Sequence, residues 1–310
     1  FLVWGHHMFP NGQSARMEWY HDHTVGITRL NAYAGLVSAY IAAAVKAKVT
    51  LVEAHKMGGD CLNYGCVPSK ALIKSAKVAH HIQHAHRYGL VTEPAPTKLQ
   101  LDFSAVMRRI QQVIAAIEPH DSVARYTELG VEVRQGYATI VNPWTVEIRA
   151  ADGSVSRLTT RSIVIATGAR PTVPPFLQEA AKQNPNAYVT SDTLWETFAK
   201  LERVPERLVV LGGGPIGCEL SQSFARLGSQ VTQVELSPRL MGKEDEEASR
   251  CITQILRDEG VEVVVAGDHP EVAFRGRERD GVPGVRILCA TVQQHQLRLG
   301  CAPAQGAEQR

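Results

Sequence analysis

An α/β fold built on parallel sheets is the class this sequence predicts, on three observations. Helical and strand-like segments alternate through the middle of the chain, as stacked βαβ units do. One apolar strand runs straight into a Gly-rich loop that opens a helix, at Leu211-Gly212-Gly213-Gly214-Pro215-Ile216-Gly217. An acidic residue closes the strand that follows a helix in two places, Glu53 and Glu235, so the same unit is used twice. The 310 residues accommodate two domains at roughly 150 residues each.

The elements follow from spacing and composition. A helix of small residues, Ala34 to Lys46, leads into the short strand Val49 to Val52, closed by Glu53. Val106, Ile110, Val113 and Ile117 share one stripe and predict a helix from about Phe103 to Ile117. Val131 to Ile140 and Thr145 to Ile148, with Asp152-Gly153 as the turn, predict an antiparallel ribbon. Ser162 to Ala166 predicts a buried strand ending in Thr167-Gly168.

A Pro-rich connection, Pro171 to Pro175, separates this first unit from a second. Strand Arg207 to Leu211, helix Ile216 to Leu227 and strand Gln230 to Glu235 come next. Helix Glu244 to Glu259 and strand Val261 to Val265 continue the alternation. The pattern decays after Gly267. Arg275 to Gly281 fits a hairpin, and Gln293 to Arg310 has no period, so an irregular tail is expected.

Composition narrows the function classes. The 33 Lys and Arg balance 31 Asp and Glu, so no strong field points to nucleic acid or a membrane surface. No apolar run reaches the ~18 residues of a membrane span. Phe1-Leu2-Val3-Trp4 lacks the basic start and cleavage pattern of a secretory signal. The chain does not begin with Met, which suggests a fragment or a processed product. Six cysteines are too few for a disulfide scaffold of this size. A cytoplasmic location is the expectation.

The loop from Gly212 to Gly217 fits G-x-G-x-x-G between a strand and a helix. Gly212, Gly214 and Gly217 permit a tight turn, close approach of a diphosphate and close helix–strand packing. Glu235, about 20 residues on, can accept bonds from a ribose hydroxyl. The bland alternative is a Gly-rich turn. Glu235 favours NADH, while Arg239 nearby leaves NADPH open. A twin loop should precede Ala34 to Lys46, but only its last glycine, Gly35, is present. Leu30 and Ala32 stand where earlier glycines belong, and Leu30 should block close phosphate approach.

Gly58-Gly59-Asp60-Cys61-Leu62-Asn63-Tyr64-Gly65-Cys66-Val67-Pro68-Ser69-Lys70 is the most specific stretch. Two cysteines five apart at a helix start can close a disulfide, and the helix terminus lowers a thiolate's pKa. Paired metal-binding cysteines would need two further ligands at matching spacing, and none are nearby. Two unrelated buried thiols are the other alternative; the glycines and Pro68 argue for a special backbone.

This stretch resembles the active-site signature of the class I flavoprotein disulfide reductases, which include dihydrolipoamide dehydrogenase, glutathione reductase and mercuric reductase. Ala166 to Pro171 resembles their second flavin-contacting strand end, and Gly212 to Glu219 their nicotinamide loop. The likeness runs from about Gly35 to about Gly267. Ile117 to Ser122 and Gly212 to Gln222 look closest to the mercuric-reductase-like branch.

The resemblance implies FAD and NADH (or NADPH) as cofactors, with hydride passing from NADH to flavin and on to a Cys61–Cys66 disulfide. It implies Cys66 as the thiolate facing the flavin and Cys61 as the thiol that exchanges with substrate. Lys70 and Glu219 match a family ion pair beside the flavin; solvated helix charges are the alternative. Gly35, Glu53, Gly59, Lys70, Ala138, Thr167 and Gly168 would line the FAD. A low-molecular disulfide, dihydrolipoamide or mercuric ion remains open as acceptor.

Both ends depart from that family. The second flavin-binding Gly-Asp segment and the dimerisation domain with its His-Glu pair are missing, which removes the basis for a family-type homodimer. His295 has no role to match. Glu18 to Leu36 instead resembles a copper-ligand segment of multicopper oxidases, with His21 and His23 as strand neighbours able to reach metal. Such a centre needs several His pairs, and one is present, so no metal site is assigned. The expected domains are a foreign segment at 1–33, an incomplete FAD-binding domain at 34–172, an incomplete NAD(P)-binding domain at 173–268 and an irregular tail at 269–310. The alternatives to a reductase are a noncatalytic nucleotide-binding fragment and a copper-binding oxidase fragment.

Overall fold

The computed structural model describes residues 48–90, 100–266, 285–290 and 292–293. The readings for Gly35, Leu30, Ala32, His21, His23, the helix from Ala34 and the hairpin from Arg275 lie outside the described residues. In chain order the elements begin with β1 (Thr50–Glu53), α1 (Gly59–Asn63), α2 (Cys66–Gln83), α3 (Phe103–Ile117) and α4 (Val123–Glu128). Next come β2 (Glu132–Gln135), β3 (Tyr137–Asn142), β4 (Thr145–Arg149), β5 (Val155–Thr159) and β6 (Arg170–Pro171). Then follow α5 (Pro175–Gln183), β7 (Val189–Thr190), α6 (Leu194–Phe198), β8 (Arg207–Leu211), α7 (Pro215–Arg226) and β9 (Gln230–Glu235). The last are α8 (Glu246–Asp258), β10 (Glu262–Val265), β11 (Val285–Cys289) and β12 (Val292–Gln293). The chain divides into two compact units.

The first unit holds β1 with residues 118–163. Its β1 and β2 run parallel, Thr50 opposite Glu132 and Glu53 opposite Gln135. The short helix α4 starts at Ser122, whose hydroxyl accepts the Arg125 amide at 3.2 Å, satisfying one of the N–H groups a helix start leaves open. Strands β3, β4 and β5 form the antiparallel ribbon. Asp152 makes its second turn by accepting from the Ser154 amide at 2.9 Å.

Two expectations are corrected in this region. Residues 132–135 leave the ribbon and pair with β1 instead, because the chain turns at Gly136, which donates to the Glu53 carbonyl at 2.9 Å. Ser162 to Ala166 forms no strand, and Val164 and Ile165 are 61% and 44% exposed. A strand needs a ladder neighbour to satisfy its backbone, and no neighbour pairs with this segment among the described residues.

The second unit holds residues 58–117 and those from 164 onward. Its sheet is parallel in the order β10-β9-β8-β11-β7. Alternate residues of β8, Leu208 and Val210, are buried, as the two-residue period of a strand requires. Helix α2 packs through the small residues Ala71, Ala76 and Ala79 around Leu72. Small side chains let α3 and α7 approach it closely. Phe224 of α7 lies 5.6 Å from the Phe198 ring and 6.5 Å from the Phe103 ring.

Helix α3 has the expected bounds, but its most buried side chains are Phe103, Met107 and Ile110; Val106, Val113 and Ile117 flank that stripe at intermediate burial. A further difference is β11, which lies within the range expected to be irregular. It pairs with β8 on one side and β7 on the other.

Candidate active site

Helices α1 and α2 present the two cysteines from adjoining starts. Gly58, in the left-handed region at φ 80°, precedes α1, and Gly65 precedes α2. Between them the Asp60 carbonyl accepts the amides of Tyr64 at 2.8 Å and Gly65 at 2.6 Å. That tight return brings Cys61 and Cys66 together as a disulfide. Both are exposed. Cys66 is the first residue of α2, where unpaired helix N–H groups favour a thiolate.

Three contacts brace this turn within the second unit. The Trp195 indole, 3% exposed on α6, donates to the Tyr64 carbonyl at 2.7 Å. The Asp60 carboxylate accepts the Ala169 amide at 2.8 Å, joining the redox helices to the Thr167-Gly168 loop. Gly168 is left-handed at φ 68°, and a Cβ there would overlap that carboxylate. Lys70, one turn beyond Cys66, meets Glu219 of α7 at 2.5 Å. Their side chains are 41% and 39% exposed, so the pair itself stabilises little, about 0–1 kcal/mol. Its effect is to hold a cation one helical turn from Cys66.

Burial pushes the Asp192 carboxyl up; Arg170, 3.5 Å away, opposes this, and the Asp60 charge adds to it. Asp60, Trp195 and Asp192 were not singled out from the sequence. Their partners are far along the chain, and no local spacing marks them.

The glycine loop is built as expected. Its Gly212 amide donates to Val234 at 2.8 Å, and Pro215 is the first residue of α7, where its fixed φ suits the helix. A Cβ at Gly217 would overlap the Gly212 carbonyl, and one at Gly213 would meet the Glu235 side chain at 2.8 Å. No atom lies within 4 Å of where a Cβ at Gly214 would stand, so a diphosphate has room to reach the backbone there. The residues present therefore fit a dinucleotide.

Glu235 ends β9 and accepts the Gly213 amide at 2.6 Å and the Ser237 amide at 2.7 Å. Fully buried Gln233 donates to the Gly212 carbonyl at 3.0 Å. Arg239 donates to the carbonyls of Met241 and Gly242. In the first unit Glu53 repeats the strand-end arrangement of Glu235, accepting the His55 amide at 2.7 Å. Ala138 is exposed on β3, two residues beyond the Gly136–Glu53 contact. Gly59 and Thr167 are exposed in the second unit.

Residues 31–282 match the family model described as pyridine nucleotide-disulphide oxidoreductase. The chain belongs to that family. Among curated oxidoreductases of the family, a mercuric reductase of Streptomyces lividans is 36% identical over 86% of this chain and 52% of its own length. A dihydrolipoyl dehydrogenase of Mycoplasma pneumoniae is 33% identical over 82% of this chain and 54% of its own length. Among solved structures, a mutant of the HOCl-induced flavoprotein disulfide reductase of Escherichia coli, in complex with Cu(II), aligns with a TM-score of 0.57 at 26% identity. That match covers 75% of this chain and 47% of the reductase. The chain thus spans about half the length of these relatives. No described helix is long and apolar enough to cross a membrane.

Proposed function

We propose that this chain carries the redox-disulfide and nicotinamide-binding parts of an FAD-dependent NAD(P)H:acceptor oxidoreductase. The observation that carries the proposal is the exposed Cys61–Cys66 disulfide at the start of α2, with the Lys70–Glu219 pair one turn on. The names of the relatives support two substrate classes, mercuric ion and a dihydrolipoyl dithiol with its oxidised disulfide form.

Gly212, Gly214 and Gly217 would take the nicotinamide dinucleotide diphosphate, and Glu235 its ribose. Arg239 is engaged with backbone carbonyls, which supports NADH over NADPH. Glu53 and Ala138 would hold the adenosine end of FAD, and Gly59, Lys70, Thr167 and Gly168 its remainder; Gly35 belongs to the same reading. Bound FAD would supply the two-electron link between nicotinamide and disulfide.

In this reading Cys66 is held as a thiolate by the α2 terminus and the Lys70 cation. Cys61 then exchanges with the acceptor. NADH, a proton and the disulfide give NAD⁺ and two thiols, so charge and electrons balance. By function the division is 34–172 for FAD and 173–268 for NAD(P), with 1–33 foreign to both and β11 adding a strand beyond 268; by packing, residues 58–117 and those from 164 onward belong to the second compact unit. The proposed location is the cytoplasm, where a disulfide of this kind is catalytic rather than structural.

The test counts thiols. Anaerobic chain supplied with FAD and NADH should expose two further thiols, and Cys61→Ser or Cys66→Ser should expose none. An unchanged count in the unsubstituted chain would favour a fragment that binds nucleotide without catalysis.

A further inference from the structure

Gln233 and Glu235 stand two residues apart on β9, so their side chains leave the same face of the sheet. The Gln233 side-chain nitrogen donates to the Gly212 carbonyl at 3.0 Å. Glu235 accepts the Gly213 amide at 2.6 Å. That carbonyl and that amide are the two polar ends of one peptide unit, which is planar and trans, so they point in opposite directions. We propose that Gln233 is a positioning residue of the glycine loop: with Glu235 it holds the Gly212–Gly213 peptide at both ends and fixes the loop in the shape that receives the dinucleotide diphosphate.

This peptide needs restraint because glycine flanks it on both sides. Gly212 lies at φ 119°, and neither it nor Gly213 has a side chain to hinder rotation of the plane between them. Helix α7 closes onto the same contact. A Cβ at Gly217 would overlap the Gly212 carbonyl and stand 3.1 Å from the Gln233 nitrogen. The next peptide is held as well. Its Gly213 carbonyl accepts the Met241 amide at 2.7 Å and faces the Cys218 Sγ at 3.6 Å, which Gln233 also reaches at 3.6 Å.

A carbonyl only accepts, so the nitrogen end of the Gln233 amide is the end that faces Gly212. Gln233 is fully buried, and its Oε1 has no hydrogen-bond partner among the described residues. A buried amide with one end unpaired is less stable than an apolar side chain of the same shape. Core packing alone therefore does not account for Gln233; what its nitrogen holds does. Gln233 acts through the loop backbone, whereas the open approach for a diphosphate is at Gly214. The inference rests on the nicotinamide reading of this loop.

Amide hydrogen exchange combined with NADH titration, both on the full chain, provides the test. In the unsubstituted chain the Gly213 amide should exchange slowly, and rapid exchange there overturns the proposal without any variant. Gln233→Met keeps the length of the side chain and removes the donor. Its Gly213 amide should exchange about tenfold faster, the equivalent of one hydrogen bond, while the amides of β8, β9 and β10 keep their protection. NADH affinity, followed by fluorescence, should fall by a similar factor, and Gln233→Leu should repeat the pattern. Unchanged exchange at Gly213, or faster exchange with unchanged NADH affinity, overturns the proposal. Equal acceleration across all three strands overturns it too, because Gln233 would then serve the sheet and not the loop. A chain whose Gly213 amide responds as expected but which binds no NADH, substituted or not, contradicts the nicotinamide reading and upholds the hold on the peptide.

Discussion

The Cys289 thiol is 1% exposed on β11, and burial pushes its pKa up to about 12. Burial also raises Cys218, 8% exposed beneath the glycine loop, whereas Cys251 is exposed. Alkylation proceeds through the thiolate. Iodoacetamide on the native chain should therefore modify Cys251 and spare Cys218 and Cys289, read by peptide mass. The raised thiol of Cys289 also makes stability depend on pH. Its folded value lies above its ordinary value of 9.0, so its contribution is whole below pH 9 and is lost as pH rises toward about 12. Denaturant midpoints across that window should fall in the unsubstituted chain and fall less in Cys289→Ala. Trp195 makes a different kind of claim. Trp195→Phe removes the donor to Tyr64 and should cost about 1 kcal/mol for the hydrogen bond, while making the Cys61–Cys66 bond easier to reduce with dithiothreitol.

Among the elements, the β8–loop–α7–β9 unit depends on one close approach. Gly217→Ala places a methyl group against the Gly212 carbonyl, and overpacking of this kind costs about 1–3 kcal/mol. NADH affinity, followed by fluorescence quenching, should fall with it, whereas Gly214→Ala should fold normally because its side-chain position is open. This unit was legible in the sequence because its signals are local: an apolar strand, glycines at fixed spacing and a strand-end acid. The Cys61–Cys66 turn was legible for the same reason. β11 was not, because Val285 to Cys289 is placed by pairing with β8 and β7 and carries no turn or helix signal of its own. Ile163 to Ile165 misled in the opposite direction: β-branched residues favour strands, yet a strand forms only where a neighbour supplies its ladder. Asp60 and Trp195 were invisible because their partners, Ala169 and Tyr64, lie 109 and 131 positions away.

At the scale of the whole molecule, each unit carries its own half of the proposed chemistry. The second unit contains the disulfide, the Lys70–Glu219 pair and the glycine loop. The first contains Glu53 and Ala138. The family assignment rests on 252 matched positions, residues 31–282, while the chain spans about half of its curated relatives. The central claim is that reducing equivalents from NADH reach Cys61–Cys66 in this chain through FAD. The most direct measurement is the visible absorption spectrum of the FAD-supplied chain, recorded anaerobically before and after one equivalent of NADH. The account predicts a flavin spectrum that bleaches and gains a long-wavelength thiolate–flavin band, which Cys66→Ser abolishes. A colourless chain that retains no FAD after desalting, or a bound flavin that NADH leaves unchanged, would contradict it.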